Sequence, residues 1–182
     1  MAEPRYNPMG YHTGSVWPHD NALIACGMRH YGISSPALRI FTGFFDAAMT
    51  FDLYRIPELY CGFPRQPGEG PVVYPVACAP QAWSAAALFL LLQASLGMRV
   101  NAMERQVSLF RPSLPPFLRQ VAISGLALQD AAVDLLIVQH GEDISVHVLD
   151  QKGRLGVVVL PEDSQNCVQP EVVLDTSRRD RR

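Results

Sequence analysis

Residues 80–97 read PQAWSAAALFLLLQASLG, and the chain changes character just beyond them. Pro80 is a helix-start signal and Gly97 a helix stop. The residues between are apolar almost all round, so this helix needs neighbours on several sides. All six Tyr and both Trp lie at or before Trp83. Beyond Gly97 the sequence turns to Val, Leu and Ile interleaved with polar residues, which is a strand pattern. The break puts a boundary near residues 97–101.

Working upstream, two more helices are expected. Pro18 fits the first helical position of HDNALIACGMRHY, which stops at Gly32. Ser34 and Ser35 before Pro36 open a second helix over 36–51, with Leu38, Phe41, Phe45 and Ala48 on one face. The stretch 55–79 holds five Pro and three Gly, so it must be mostly loop, and a loop of that length is usually functional. Working downstream, strands are expected over 105–110, 118–124, 132–139, 144–149 and 155–160. Gly141-Glu142-Asp143 and Gln151-Lys152-Gly153 serve as hairpin connections. The division read from this pattern is 1–98 helical, 99–162 a small antiparallel β appendix, and 163–182 a disordered tail.

Composition excludes several classes. The 182 residues are 48% hydrophobic and carry a formal net charge of -2, which suits neither a disordered chain nor a binder of nucleic acid by phosphate charge. The longest apolar run, residues 85–92, is too short to span a bilayer, so no membrane partner is expected. Four cysteines without a CxxC pair, and first residues without a secretory signal, point to a reducing, cytoplasmic compartment.

Two clusters can carry chemistry. Tyr11-His12-Thr13-Gly14-Ser15-Val16-Trp17-Pro18-His19-Asp20-Asn21 combines aromatic faces with hydrogen-bonding side chains. Aromatic rings stack on the apolar faces of sugars while His, Asp and Asn bind hydroxyls, so the mix suits a sugar subsite. It equally suits a capped helix start with Trp17 in the core. In the second cluster, Glu58 follows Pro57 among apolar residues of the long loop. A partly desolvated carboxylate there can act as a general base, or can simply pair with Arg55 or Arg65. His12 and His19 lack metal-ligand spacing, and there is no phosphate-binding glycine loop, so neither metal nor cofactor is expected.

Three motifs in order, YNPMGYHTGSVWPHDNALIA (6–25), RIPELYCGFPR (55–65) and YPVACAPQAWSAAALFLLLQ (74–93), resemble the C-terminal part of bacterial glycogen-debranching-type enzymes, the amylo-alpha-1,6-glucosidase family. The likeness covers residues 5–97 closely. Ile56-Pro57-Glu58-Leu59 followed by Trp83-Ser84 is similar to the LPEQ element and later Trp-Ser of glucoamylases, with Leu59 in place of Gln. The resemblance implies a mainly α fold: the last helices of an (α/α)6 toroid, followed by a small antiparallel β region. It implies an inverting glycosidase that uses two carboxyl groups and no cofactor. Within it Glu58 is the general base, and Trp17, His19, Asp20 and Asn21 line the glucose subsite, joined by Tyr11, His12 and Arg65.

The family's general acid lies upstream of the matched region. The expectation is therefore a C-terminal portion of a longer enzyme, inactive alone. Its partners would be an α-glucan or oligosaccharide, the remaining N-terminal part, and further copies through exposed apolar helices. The competing readings are a non-catalytic α-glucan-binding module and a structural domain whose motifs are relics.

Overall fold

The computed structural model describes residues 4–66 and 68–160. The expected tail over 163–182 lies outside them. The order of elements is α1 (Pro18–His30), α2 (Ser34–Ala48), a short 3-10 turn (Asp52–Tyr54) and α3 (Ala82–Leu96). Strands β1 (Met98–Asn101), β2 (Gln106–Phe110), β3 (Gln120–Leu128), β4 (Ala131–His140), β5 (Asp143–Lys152) and β6 (Gly156–Leu160) follow. The chain divides into two compact units, one up to Ala94 and one from Ser95.

In the first unit, Pro18 opens α1 and Asp20 sits in its first turn, where a carboxylate favours the positive end of the helix dipole. The helix exits through Gly32 at φ 78. Its buried face is small, built on Ala22 and Ala25. The second helix buries Ala37, Phe41, Phe44 and Ala48. That stripe lies beside the expected one, since Leu38 and Phe45 are only half-buried. Arg29, nearly buried, donates from Nε to the Ala94 carbonyl at 3.1 Å and from Nη1 to Ser34 Oγ. It thus ties the end of α1 to the end of α3. The Pro-rich loop is anchored: Ile56, Leu59, Tyr60 and Cys61 are all buried, and Tyr60 bridges to both Val16 and Val73. The third helix leaves Trp83 and Phe89 exposed, at 65% and 76%.

The second unit holds two three-stranded sheets. Strands β3, β4 and β5 form an antiparallel meander. Strand β4 is its centre, with Ala131, Val133, Leu135 and Ile137 buried and the residues between them half-buried. A bulge between Ile123 and Leu126 is held by Asp134, whose Oδ1 accepts from the Gly125 N–H at 2.6 Å. In the other sheet β1 pairs antiparallel with β2, and β2 pairs parallel with β6. Val107 and Leu109 of β2 are fully buried, and Val157 and Val158 of β6 are buried.

This architecture corrects the expected fold class. Among the described residues three α-helices stand against six strands, so they are not mainly α and show no toroid. The helix count is limited by the stretch between α2 and α3, whose prolines withhold the donors a further helix needs. Nor is the β part purely antiparallel. The meander occupies the chain between β2 and β6, so β6 returns running the same way as β2. The expected boundary at 97–101 falls on β1, a strand absent from the sequence reading. No helix among the described residues is long and apolar enough to cross a membrane.

Gly97 lets the chain pass from α3 into β1. Its φ is +56, and a Cβ there would stand 1.9 Å from the Phe110 carbonyl oxygen. Gly125 also has a positive φ, but open space around it. Gly97→Ala is expected to lower unfolding free energy by roughly 2–3 kcal/mol and Gly125→Ala by only about 1 kcal/mol. Chemical denaturation of both variants checks this, and equal losses would refute the close approach at Gly97.

Candidate functional site

Residues 7–17 form a looped segment whose internal bonds fix it before it touches anything else. Asn7 Oδ1 accepts from the Met9 N–H at 3.0 Å, and the Asn7 carbonyl from the Gly10 N–H at 2.7 Å. Ser15 donates its hydroxyl to the Gly10 carbonyl at 2.9 Å. Two glycines let this loop lie flat on the extended segment that follows Glu58. A Cβ at Gly62 would sit 1.9 Å from the Gly14 carbonyl oxygen, and one at Gly14 would sit 2.0 Å from that of Asn7. Main-chain bonds then lock the contact: Val16 N–H to the Tyr60 carbonyl at 2.9 Å, Tyr60 N–H to the Val16 carbonyl at 3.0 Å, and Gly62 N–H to the Pro8 carbonyl at 2.9 Å.

This docking delivers Tyr11 to Glu58. The phenol donates to Glu58 Oε1 at 2.8 Å, and the Cys78 N–H donates to Oε2 at 3.1 Å. The Glu58 main chain is held as well. Its N–H donates to the Cys78 carbonyl at 2.9 Å, and its carbonyl accepts from Ser84 Oγ at 3.3 Å at the start of α3. The Cys78 N–H, then the Tyr11 hydroxyl, hold the carboxyl below its ordinary 4.5, against a smaller opposing effect of burial. The nearby His19 acts in the same direction. The same Glu58 raises the Tyr11 phenol, which therefore stays a donor. Glu58 is thus a fixed, ionised hydrogen-bond acceptor at neutral pH.

Through Tyr11, Glu58 joins a chain of ring contacts. Tyr11 meets His12 and Trp17 edge-on, with centroids 4.7 Å and 4.8 Å away, and Tyr74 at 5.6 Å. His12 and Trp17 lie parallel at 6.1 Å. Trp17 Nε1 donates to the Tyr11 carbonyl at 3.2 Å. His19 sits edge-on between Trp17 at 5.9 Å and Trp83 at 5.1 Å. Its Nε2 lies 3.3 Å from Asp20 Oδ1, and its Nδ1 is buried with no hydrogen-bond partner among the described residues.

Of the residues singled out from sequence, Tyr11, His12, Trp17 and His19 therefore share one connected cluster with Glu58. Asp20 is attached through His19. Asn21 donates from Nδ2 back to the Trp17 carbonyl at 2.8 Å, which is a helix-start contact. Arg65 is ion-paired with Asp46 at 3.0 Å and lines a separate cleft whose walls do not include Glu58. Tyr74 and Cys78 were missed. Cys78 contributes its main-chain N–H, which any residue but proline supplies, and Tyr74 lies in a loop with no period, so neither left a signal. Among the described residues no group of three or more His, Cys, Asp or Glu is placed to hold a metal ion.

No family model matches the chain, and a search of curated proteins gives no match.

Tyr11→Phe removes a donor that favours the charged carboxylate, so the Glu58 pKa is expected to rise toward 4.5. Carboxyl-carbon NMR titration reads this, and an unmoved pKa would remove Tyr11 as a cause. A depressed pKa stabilises the fold above its ordinary value, and that stability is lost as pH falls through the folded value. Glu58→Gln is accordingly expected to flatten the fall in thermal stability below pH 4.5.

Proposed function

We propose that the Glu58 cluster is the general-base half of an inverting α-glucan glycosidase site, of the α-1,6-glucosidase (debranching) type, with its aromatic rings forming a glucose subsite. The observation that carries this reading is the ionised carboxylate held at both oxygens and joined through Tyr11 to a connected set of aromatic and imidazole rings. An inverting reaction needs a base that takes a proton from water as that water attacks C1. A carboxylate pinned by two donors keeps one geometry and stays unprotonated at neutral pH, which leaves it open to a proton from water. The indole and phenol faces supply apolar contact for a pyranose ring, and the imidazoles supply hydrogen bonds to its hydroxyls.

The base needs a partner acid across the sugar. Asp20 is the other carboxylate tied to the cluster. It is 56% exposed and lies 3.3 Å from His19 Nε2, which are not the apolar surroundings that keep an acid protonated. In this proposal the acid comes from outside the described residues, and the chain alone binds a glucan without cleaving it at a useful rate. That same observation favours a second reading, a non-catalytic α-glucan-binding module. The exposed Trp83 and Phe89 are surfaces through which a remaining part of an enzyme, or another copy, would complete the assembly. The compartment proposed is cytoplasmic.

α-D-Glucosyl fluoride separates the two readings, because fluoride leaves without acid help. Water forms the new C1–O bond, the C1–F bond breaks, fluoride departs as an anion, and Glu58 takes the water proton. Fluoride release with β-glucose as first product is expected. It should fall about 10²–10⁴-fold in Glu58→Gln, the usual worth of a general base. Glu58-independent release would sink the catalytic reading. Binding of a branched oligosaccharide that Trp17→Ala weakens, with no fluoride release, would leave the binding module.

A further inference from the structure

The second unit holds a side-chain cluster that the Glu58 site does not use. The hairpin of β4 and β5 pairs Leu136 with His147, Val138 with Ser145 and His140 with Asp143. Side chains alternate along a strand, so His140, Ser145 and His147 stand on one face of the sheet. It is the face opposite Ala131, Val133, Leu135 and Ile137, which are buried. Both histidines are exposed and Ser145 is half-buried. Ser145 Oγ lies 3.0 Å from Nε2 of His140 and 3.0 Å from Nε2 of His147. The two ring nitrogens therefore converge on one oxygen.

Hydrogen bonding orders these nitrogens. A hydroxyl has one proton, so with both rings neutral it donates to one Nε2 and accepts an N–H from the other. One ring thus already directs a lone pair at the shared point, and the other does so once its proton moves to Nδ1. Metal–imidazole bonds run about 2.0–2.1 Å, so two ligand atoms at right angles on one ion stand about 3 Å apart. Both Nε2–Oγ separations have that length. Right-angled coordination by nitrogen and oxygen is the habit of Cu²⁺ and Ni²⁺.

Charge points the same way. The turn that joins the strands, Gly141-Glu142-Asp143, carries two carboxylates and no basic residue, which favours a cation over an anion. Imidazole then selects among cations: Mg²⁺ and Ca²⁺ take oxygen ligands, while copper and nickel take nitrogen. The two histidines are seven residues apart in sequence, and only the hairpin closes the gap between them.

We infer that His140 and His147, with the Ser145 hydroxyl between them, form a binding site for a divalent transition-metal ion of the copper and nickel class, with water filling its remaining positions. The site lies within the second unit and shares no residue with the Glu58 cluster.

Cu²⁺ and Mg²⁺ are titrated separately into the full chain, followed by two-dimensional amide NMR and by calorimetry. Cu²⁺ is expected to broaden the signals of residues 138–147 first, and Mg²⁺ to leave them unmoved. Electron spin resonance of the bound Cu²⁺ should show hyperfine splitting from two imidazole nitrogens. His140→Gln and His147→Gln each keep a hydrogen-bonding side chain for Ser145, and both positions are exposed, so both variants are expected to fold. Each should weaken Cu²⁺ binding by about tenfold or more, because the second ligand no longer binds intramolecularly. Each should also reduce the splitting to that of one nitrogen. His30→Gln, at the end of α1, should change neither. Broadening that begins elsewhere in the chain would overturn the inference. So would a Cu²⁺ affinity that both Gln variants leave unchanged, or an equal response to Mg²⁺.

Discussion

The helical unit depends on one main-chain exchange, the pair of hydrogen bonds between Val16 and Tyr60. The loop 55–79 has too many prolines to satisfy its backbone by a helix or a regular sheet. Its buried residues must find partners one at a time. Val16 satisfies both main-chain groups of Tyr60, and the Val72 carbonyl accepts from the Cys61 N–H at 2.8 Å. With those bonds made, Ile56 and Leu59 are fully buried and Pro57 is locked beside them. Glu58 then has no freedom of position. Its side chain is fixed because both neighbours along the chain are fixed, and Cys78 grips it at main chain and carboxylate together.

The same exchange places both the Glu58 cluster and the ring of Tyr60. Tyr11 reaches Glu58 because the loop ahead of Val16 lies flat, and it lies flat because Gly14 and Gly62 carry no Cβ. Tyr60 meets Phe44 and Phe51 because its main chain is held at Val16. A charged carboxylate bonded at both oxygens and a buried hydroxyl with no hydrogen-bond partner among the described residues thus arise within three residues of one another. Their chemistry differs because donors crowd around Glu58 and hydrocarbon crowds around Tyr60.

Much of the local structure was legible. Pro18 and Gly32 bracket α1 and Gly97 ends α3, since these residues act through backbone geometry that needs no tertiary context. The alternation of Ile144, Val146 and Val148 marked β5, and the run from Ala132 gave β4. The four-residue β1 was not legible. It is too short to show a period, and pairing with β2 is what makes it a strand. The parallel β2–β6 pair was invisible for a related reason, because adjacency in sequence suggests hairpins and says nothing of a strand returning after a meander. The toroid expected from motif resemblance failed because local motifs do not fix how many helices a chain can form.

Sequence alone determined which residue types gather, namely the aromatic and imidazole groups before α1 and a carboxylate isolated in a proline-rich loop. It could do so because composition and turn chemistry are local. Only the tertiary structure decided which of them meet: Tyr11 with Glu58, His19 between two indoles, Arg65 away with Asp46. It alone supplied the Cys78 N–H that holds the carboxylate charged. The reason is physical. A main-chain donor is the same in every residue but proline, so its place is set by folding, and no side chain announces it.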